Sequence, residues 1–288
     1  MAEIVKQIEE DLKTALADDQ LDMPSLPEVA LKIREEAESE NVSAITLGRV
    51  VSEDPALAAQ LVRTANSPAF RATRSIDDVS QAISRMGVEY AANIVTGLAM
   101  QHMFQATSEL VDKKMREVWR ASCEIAALSS ILCSRYTRLR PDQATLAGLT
   151  HCIGVLPILS WVEEYDHVIQ DGMTLNKVIN AVHPSLGEQI LTHWKFAEDI
   201  TLVPNKYLLL NRRVEHTDYA DLVCAAHLLR RCGFTKDPDA LENFDASNMP
   251  EGWQDAQPFI RLDFDFDMPA DDREQIFEEF QAGNSGFS

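Results

Sequence analysis

An all-α fold is predicted by three features of this chain. Apolar residues recur at helical spacing from residue 4 onward, helix caps and first-turn prolines punctuate those stretches, and strand-like alternation occurs only near the C-terminus. The N-terminal stretch places Ile4, Ile8, Leu12 and Ala15 or Leu16 on one face, an amphipathic helix suited to packing on the rest of the chain. Pro24 and Pro27 mark an entry loop, after which Val29, Ile33 and Ala37 form the next stripe. Ser43 is read as the cap of a segment ending near Glu53. Asp54-Pro55 supplies a cap and a first-turn proline for a helix with Leu57, Leu61 and Ala65 on one face, and Asn66-Ser67-Pro68 stops it. Two short helices in this order look like a helix-turn-helix. The second offers only Arg63 as a cation in an acidic chain, so a packing unit is the better reading.

Asp78 and Gln81 have capping-box spacing, and Ala92, Val95, Ala99 and Met103 make a face of mostly small residues that permits close helix approach. From Trp119 to Tyr136 apolar residues occupy both sides, Trp119, Cys123 and Ala126 against Ile125, Leu128 and Leu132, which predicts a central core helix. Pro141 opens a helix carrying Leu146, Leu149 and His151 into the apolar segment 153–157. Thr174 and Ser185 mark later starts, Ser185 with Glu188 at capping-box spacing. A last helix over Tyr219 to Arg231 turns Leu222, Ala225 or Ala226 and Leu229 inward.

A chain of 288 residues can bury a substantial core. Its net charge of −20 opposes attraction to nucleic acid and to anionic membrane, so neither is an expected partner. Residues 237–288 hold 14 acidic side chains against Arg261 and Arg273. Five cysteines without paired spacing predict reduced thiols. The N-terminus carries Glu3, Glu9 and Glu10 and no signal-like pattern, and no stretch is read as approaching the ~20 apolar residues of a membrane span, so a cytoplasmic protein is expected. There is no phosphate loop, internal repeat or Gly-x-Ser-x-Gly elbow, and Glu163-Glu164 and Asp77-Asp78 read as solvated faces. Neighbouring helical side chains diverge by about 100°, so His151 and Cys152 do not face each other as a thiol-imidazole pair.

Between residues 24 and 104 stand Pro-Ser-Leu-Pro at 24–27, Ser-Glu-Asp-Pro-Ala-Leu at 52–57, Thr-Ala-Asn-Ser-Pro at 64–68 and Arg-Met-Gly-Val at 85–88. In order and spacing these resemble the bacterial HDOD family, the HD-related output domains, and the similarity runs from about Leu21 to about Gly233. The resemblance implies an N-terminal helical lobe (1–105) packed on a degenerate HD-like helical bundle (106–236), with an acidic C-terminal extension (237–288). A pocket is expected at the seam of the lobes, near Arg116 to Arg120 and His151.

Catalytic HD phosphohydrolases hold a divalent metal with a histidine, a histidine-aspartate pair and a distant aspartate, leaving open positions where the ion activates water. Carried onto this chain, the first histidine falls at Ala121, the pair becomes His151-Cys152, and the last aspartate falls at His227. The ligand set implied is therefore vestigial. A register shift of one turn would bring Asp221 or Asp218 into play. His151 and His227, with Cys152 as thiolate, remain weak metal candidates suited to zinc rather than magnesium. A buried structural Cys152 and hydrogen-bonded core histidines are the simpler readings. His183, Gly187 and Trp194 share one helical side where HDOD relatives carry a histidine-glycine-tryptophan pattern, which reads as packing or, alternatively, as an accessory metal or phosphate contact.

In the extension, Phe264, Phe266 and Met268 alternate with Asp263, Asp265 and Asp267, a strand-like pattern expected to dock its aromatics on the body or on a partner, before a short helix at Asp271 to Gln281. The three aspartates lack the glycine and glutamate of a calcium loop. The resemblance implies a non-catalytic signal-transduction module with a protein partner and no cofactor. The alternatives are a metal-dependent phosphohydrolase with an altered ligand set centred on His151, His227 and His183, holding one divalent ion, and a nucleotide or phosphate sensor using Arg116, Arg120 and His151 without turnover.

Overall fold

Local signals place most helix boundaries where the sequence predicts them. In a computed structural model, which describes Ile8, residues 10–12, 14, 23–67, 70, 74–163, 172–243 and 249–287, helices α1 (Glu28–Ala37), α2 (Ala44–Val51), α3 (Pro55–Ala65), α4 (Val79–Met86) and α5 (Val88–Ala99) build the N-terminal part. Ser43 and Thr46 close a capping box on α2, the Asp54 carboxylate accepts from Ala56 N and Leu57 N at α3, and Asp78 accepts from Gln81 N at α4. Gly87, at φ 89°, turns α4 directly into α5, a backbone conformation that only glycine adopts cheaply. Ile4, Ala15, Leu16 and Pro68 lie outside the described residues, while Ile8 and Leu12 are buried in the core.

The second part is built on α6 (Glu109–Tyr136), whose apolar surround is buried by α7 (Pro141–Thr150), α12 (Tyr219–Cys232) and α15 (Ala270–Ser285). Between them run α8 (Val155–Val162), α9 (Gly172–His193), α10 (Glu198–Thr201), α11 (Val203–Lys206), α13 (Ala240–Asn243) and α14 (Gln257–Leu262). One hydrophobic core runs through all of these parts, with α5 packing on α7 across the seam. Among the described residues there is no strand.

Three expectations are corrected. Ser185 does not start a helix: α9 runs unbroken past Pro184, because Gly187 fits under Pro204 and the turn at Gly154 lies against the His183 carbonyl. The alternation after Leu262 is not a strand. Leu262 ends α14, and Asp263 at φ 52° closes it with Phe264 N donating to Phe259 O, after which Phe259, Phe264, Phe266, Trp253 and Tyr136 form an aromatic cluster. Finally, among the described residues one segment, Pro141–Val162, is long and apolar enough to cross a membrane, although 83% of its apolar window is buried inside the protein.

The acidic extension is part of the body. Its Arg261 and the loop residue Arg212 converge on Asp221, which is fully buried on α12, at 2.6 Å each. At the far end, Ile276, Phe280 and Phe287 are buried, and the carbonyls of Gly286 and Phe287 accept from Thr64 Oγ1 and Gln60 Nε2 of α3.

Candidate functional site

The turn between α7 and α8 is tight because the chain crosses α9 at two glycines. A Cβ on Gly154 would lie 2.2 Å from His183 O and 2.5 Å from Gly187 N. That crossing brings His151, at the end of α7, together with His183 of α9. His227 approaches from α12. The three imidazoles surround Tyr207, the residue that follows α11, at ring-centroid distances of 5.0 Å, 5.8 Å and 5.5 Å. Tyr207 Oη lies 3.1 Å from His183 Nε2 and 4.0 Å from Cys152 Sγ.

Electrostatics keep the cluster neutral. Burial moves His151 down to about 4, His183 to about 3 and His227 to about 3, with mutual repulsion among the three adding to it for His183 and His227. The same burial pushes Tyr207 well above its ordinary value and Cys152 up to about 12, so the phenol and thiol stay protonated. Since a carbonyl only accepts, His151 Nδ1 donates to Gly148 O at 2.6 Å, which leaves Nε2 as the unprotonated ring atom. A protonated Tyr207 hydroxyl can serve His183 Nε2 as donor. The Nδ1 atoms of His183 and His227 are buried without a partner.

This donor set does not fit a hydrolytic metal. It contains three imidazoles spread around a phenol ring and no carboxylate, and among the described residues no three His, Cys, Asp or Glu side chains are placed to hold an ion. Ala121 stands on α6 with only a methyl group. The alternative register fails because Asp218 and Asp221 cap α12 as a capping box and are both bound by Arg212.

Arg116 and Arg120 do not join the cluster. Arg116 is exposed and paired with Asp112 at 2.7 Å, and the two arginines line a surface depression of α6 that lacks His151. The cavity that does reach the cluster is a different cleft, of about 610 Å³, lined by Tyr207, His227, Arg231, Cys224 and Pro250. Trp194 is a packing residue, its Nε1 donating to Pro24 O at 3.0 Å. Tyr207 went unnoticed in the sequence because it sits on an irregular segment with no periodicity to mark its direction.

The HDOD domain family profile matches residues 23–205, more than half of the chain. The chain belongs to the HDOD domain family. The HDOD match ends before α12, so His227 lies outside it. Among solved structures, a candidate metal-dependent phosphohydrolase from Shewanella amazonensis SB2B is 25% identical and superposes with a TM-score of 0.80 over 99% of each chain. An HDOD domain protein of unknown function from Geobacter sulfurreducens is 18% identical, with a TM-score of 0.59 over 80% of each. A candidate signal transduction protein from Marinobacter aquaeolei VT8 is 21% identical, with a TM-score of 0.62 over 98% of this chain and 66% of that one. The last two likenesses show the fold alone. An uncharacterized protein of Treponema pallidum (strain Nichols) is 26% identical over 148 residues, half of this chain, and the aligned part spans 27% of that protein.

Proposed function

We propose that this HDOD protein is a non-catalytic, cytoplasmic regulatory module of a signalling pathway that acts by binding a protein partner or a small ligand and carries no metal. The observation that supports this most is Tyr207, whose ring and hydroxyl occupy the space among His151, His183 and His227, where an HD enzyme would need an ion and water. The family membership supports a regulatory or HD-like role, and the signal transduction protein of Marinobacter aquaeolei shares the fold. Elemental mass spectrometry of protein purified without chelator tests the reading, with phosphoesterase assays on the same sample. Metal well below one ion per chain, with no turnover, is expected. One ion per chain that is lost in His151→Ala together with a phosphoesterase activity would overturn it.

The metal-dependent phosphohydrolase remains the second reading because His151 presents an unprotonated Nε2, the form that ligates metal, and because of the likeness to the Shewanella protein. A nucleotide or phosphate sensor built on Arg116, Arg120 and His151 finds less support, since the two arginines line a depression that contains no histidine.

A further inference from the structure

A second cavity, of about 380 Å³, lies where three parts of the chain meet: α3 and α5 of the N-terminal part, α6 and α7 of the bundle, and α15 of the extension. Its walls have a definite chemistry. Phe70 and Tyr90 meet edge to face at 5.3 Å, and Ile131 and Phe287 add apolar surface. Hydroxyls stand between these groups. Tyr90 interacts with the Ser130 and Thr145 side chains, and the Ser67 hydroxyl, on a residue only 6% exposed, has no partner among the described residues. A buried hydroxyl without a partner destabilises the chain, a cost that a hydrogen-bonding ligand atom offsets.

Charge narrows the class of occupant. Among the described residues lining the cavity there is no lysine, arginine or histidine, and the one carboxylate, Glu279, has both oxygens held by Arg135 at 3.1 Å and 2.8 Å. An anion would therefore find no free counter-charge among these residues, and a cation would have to compete with the Arg135 guanidinium. We propose that this junction is a binding site for a small uncharged molecule with a flat aromatic body and one polar group directed at Ser67. The site rests on the small-ligand form of the function proposed above and assigns it a place away from the histidines.

The same geometry couples binding to the extension. Phe287, whose carbonyl is held by Gln60, forms part of the wall, and the α15 residue Glu279 is also at the cavity. A molecule seated there touches all three parts at once and stabilises α15 in its docked position.

The test uses the full chain and the uncharged fluorophore N-phenyl-1-naphthylamine, which offers two aromatic groups and one N–H. One saturable site per chain is expected. Ser130→Phe, which fills the cavity, should weaken it by about tenfold or more, and Ser67→Ala by about threefold. The sulfonated anilinonaphthalene analogue should bind at least about tenfold more weakly, because no described residue lining the cavity is cationic and the nearby Arg135 is held by Glu279. Amide hydrogen exchange over residues 270–287 should slow when the neutral fluorophore is bound. Ser134→Trp at the cavity wall provides a second filling variant if Ser130→Phe does not fold. Absence of saturable binding, equal binding by both filled variants, or equal binding of the sulfonated analogue overturns the proposal. Metal content and hydrolysis measured on the same samples report separately on the non-catalytic reading, since neither filling substitution touches the histidine cluster.

Discussion

The histidine cluster and the three-way junction are built in opposite ways. The cluster sits where the HDOD resemblance places chemistry, and Tyr207 lies among its rings, edge-on to His151 and His227 and tilted against His183. The junction sits where the resemblance places nothing, is roofed in part by residues beyond the family match, and is hollow with a free hydroxyl on its wall. At the cluster one aromatic side chain lies against all three imidazoles, while at the junction the packing of α15 over α3, α5, α6 and α7 leaves a cavity. The cleft of about 610 Å³ at the cluster meets Tyr207 and His227 but neither His151 nor His183, whereas the junction cavity is lined by residues of all three parts.

Several substitutions test this contrast, and the largest effect is expected at the anchor of the extension. Asp221→Asn leaves Arg212 and Arg261 nearly buried against a neutral amide and should cost about 3–5 kcal/mol in urea denaturation, with early proteolysis near residue 260 and beyond. If stability is unchanged, the extension is not held as described. Gly154→Ala should cost about 3 kcal/mol, because the added methyl meets backbone rather than a side chain that can swing away. A cluster that tolerates it would not be tightly closed.

Acid separates the two regions next. The folded values of about 4, 3 and 3 for His151, His183 and His227 lie below the ordinary 6.5, so their contribution is complete above about pH 6.5. It is lost progressively as pH falls from 6.5 toward 4, since the unfolded chain takes up protons first. The melting temperature should drop between pH 7 and pH 5, and His183→Asn should reduce that drop. Tyr207→Phe should cost about 1–2 kcal/mol by removing the hydroxyl from His183 Nε2, measured by denaturation, and should leave fluorophore binding at the junction intact. The smallest change is expected outside both regions. Lys195 holds φ 56° just beyond α9, and Lys195→Gly should stabilise by up to about 1 kcal/mol in the same assay, while Arg34 keeps its bond to the main-chain carbonyl there.

Much of the frame was legible in the sequence because caps and apolar stripes are local. Ser43, Asp54 and Asp78 cap the helices expected of them, and α6 is the central helix its all-round apolar pattern foretold. The failures occur where distant contacts override local signals. Pro184-Ser185 reads as a helix start until Gly187 and Gly154 clamp α9 straight through it. The Phe-Asp alternation reads as a strand until Asp263 turns left-handed and gathers the aromatics into a cluster. At the site, His151, His183 and His227 were singled out, but their common neighbour Tyr207 was not. The junction was invisible because its residues come from stretches as far apart as Ser67 and Phe287, and no sequence spacing relates them.

The apolar run from Pro141 to Val162 has a consequence during biosynthesis. A segment of that length and hydropathy is what insertion machinery selects for a bilayer, yet here 83% of its apolar window is buried inside the protein once α6 and α12 close over it. Until the last of those helices has left the ribosome, the run has no complete cover. Substitutions that delay the docking of α12 should therefore appear first as lost yield and aggregation in the cell, before any defect is measurable in the folded protein.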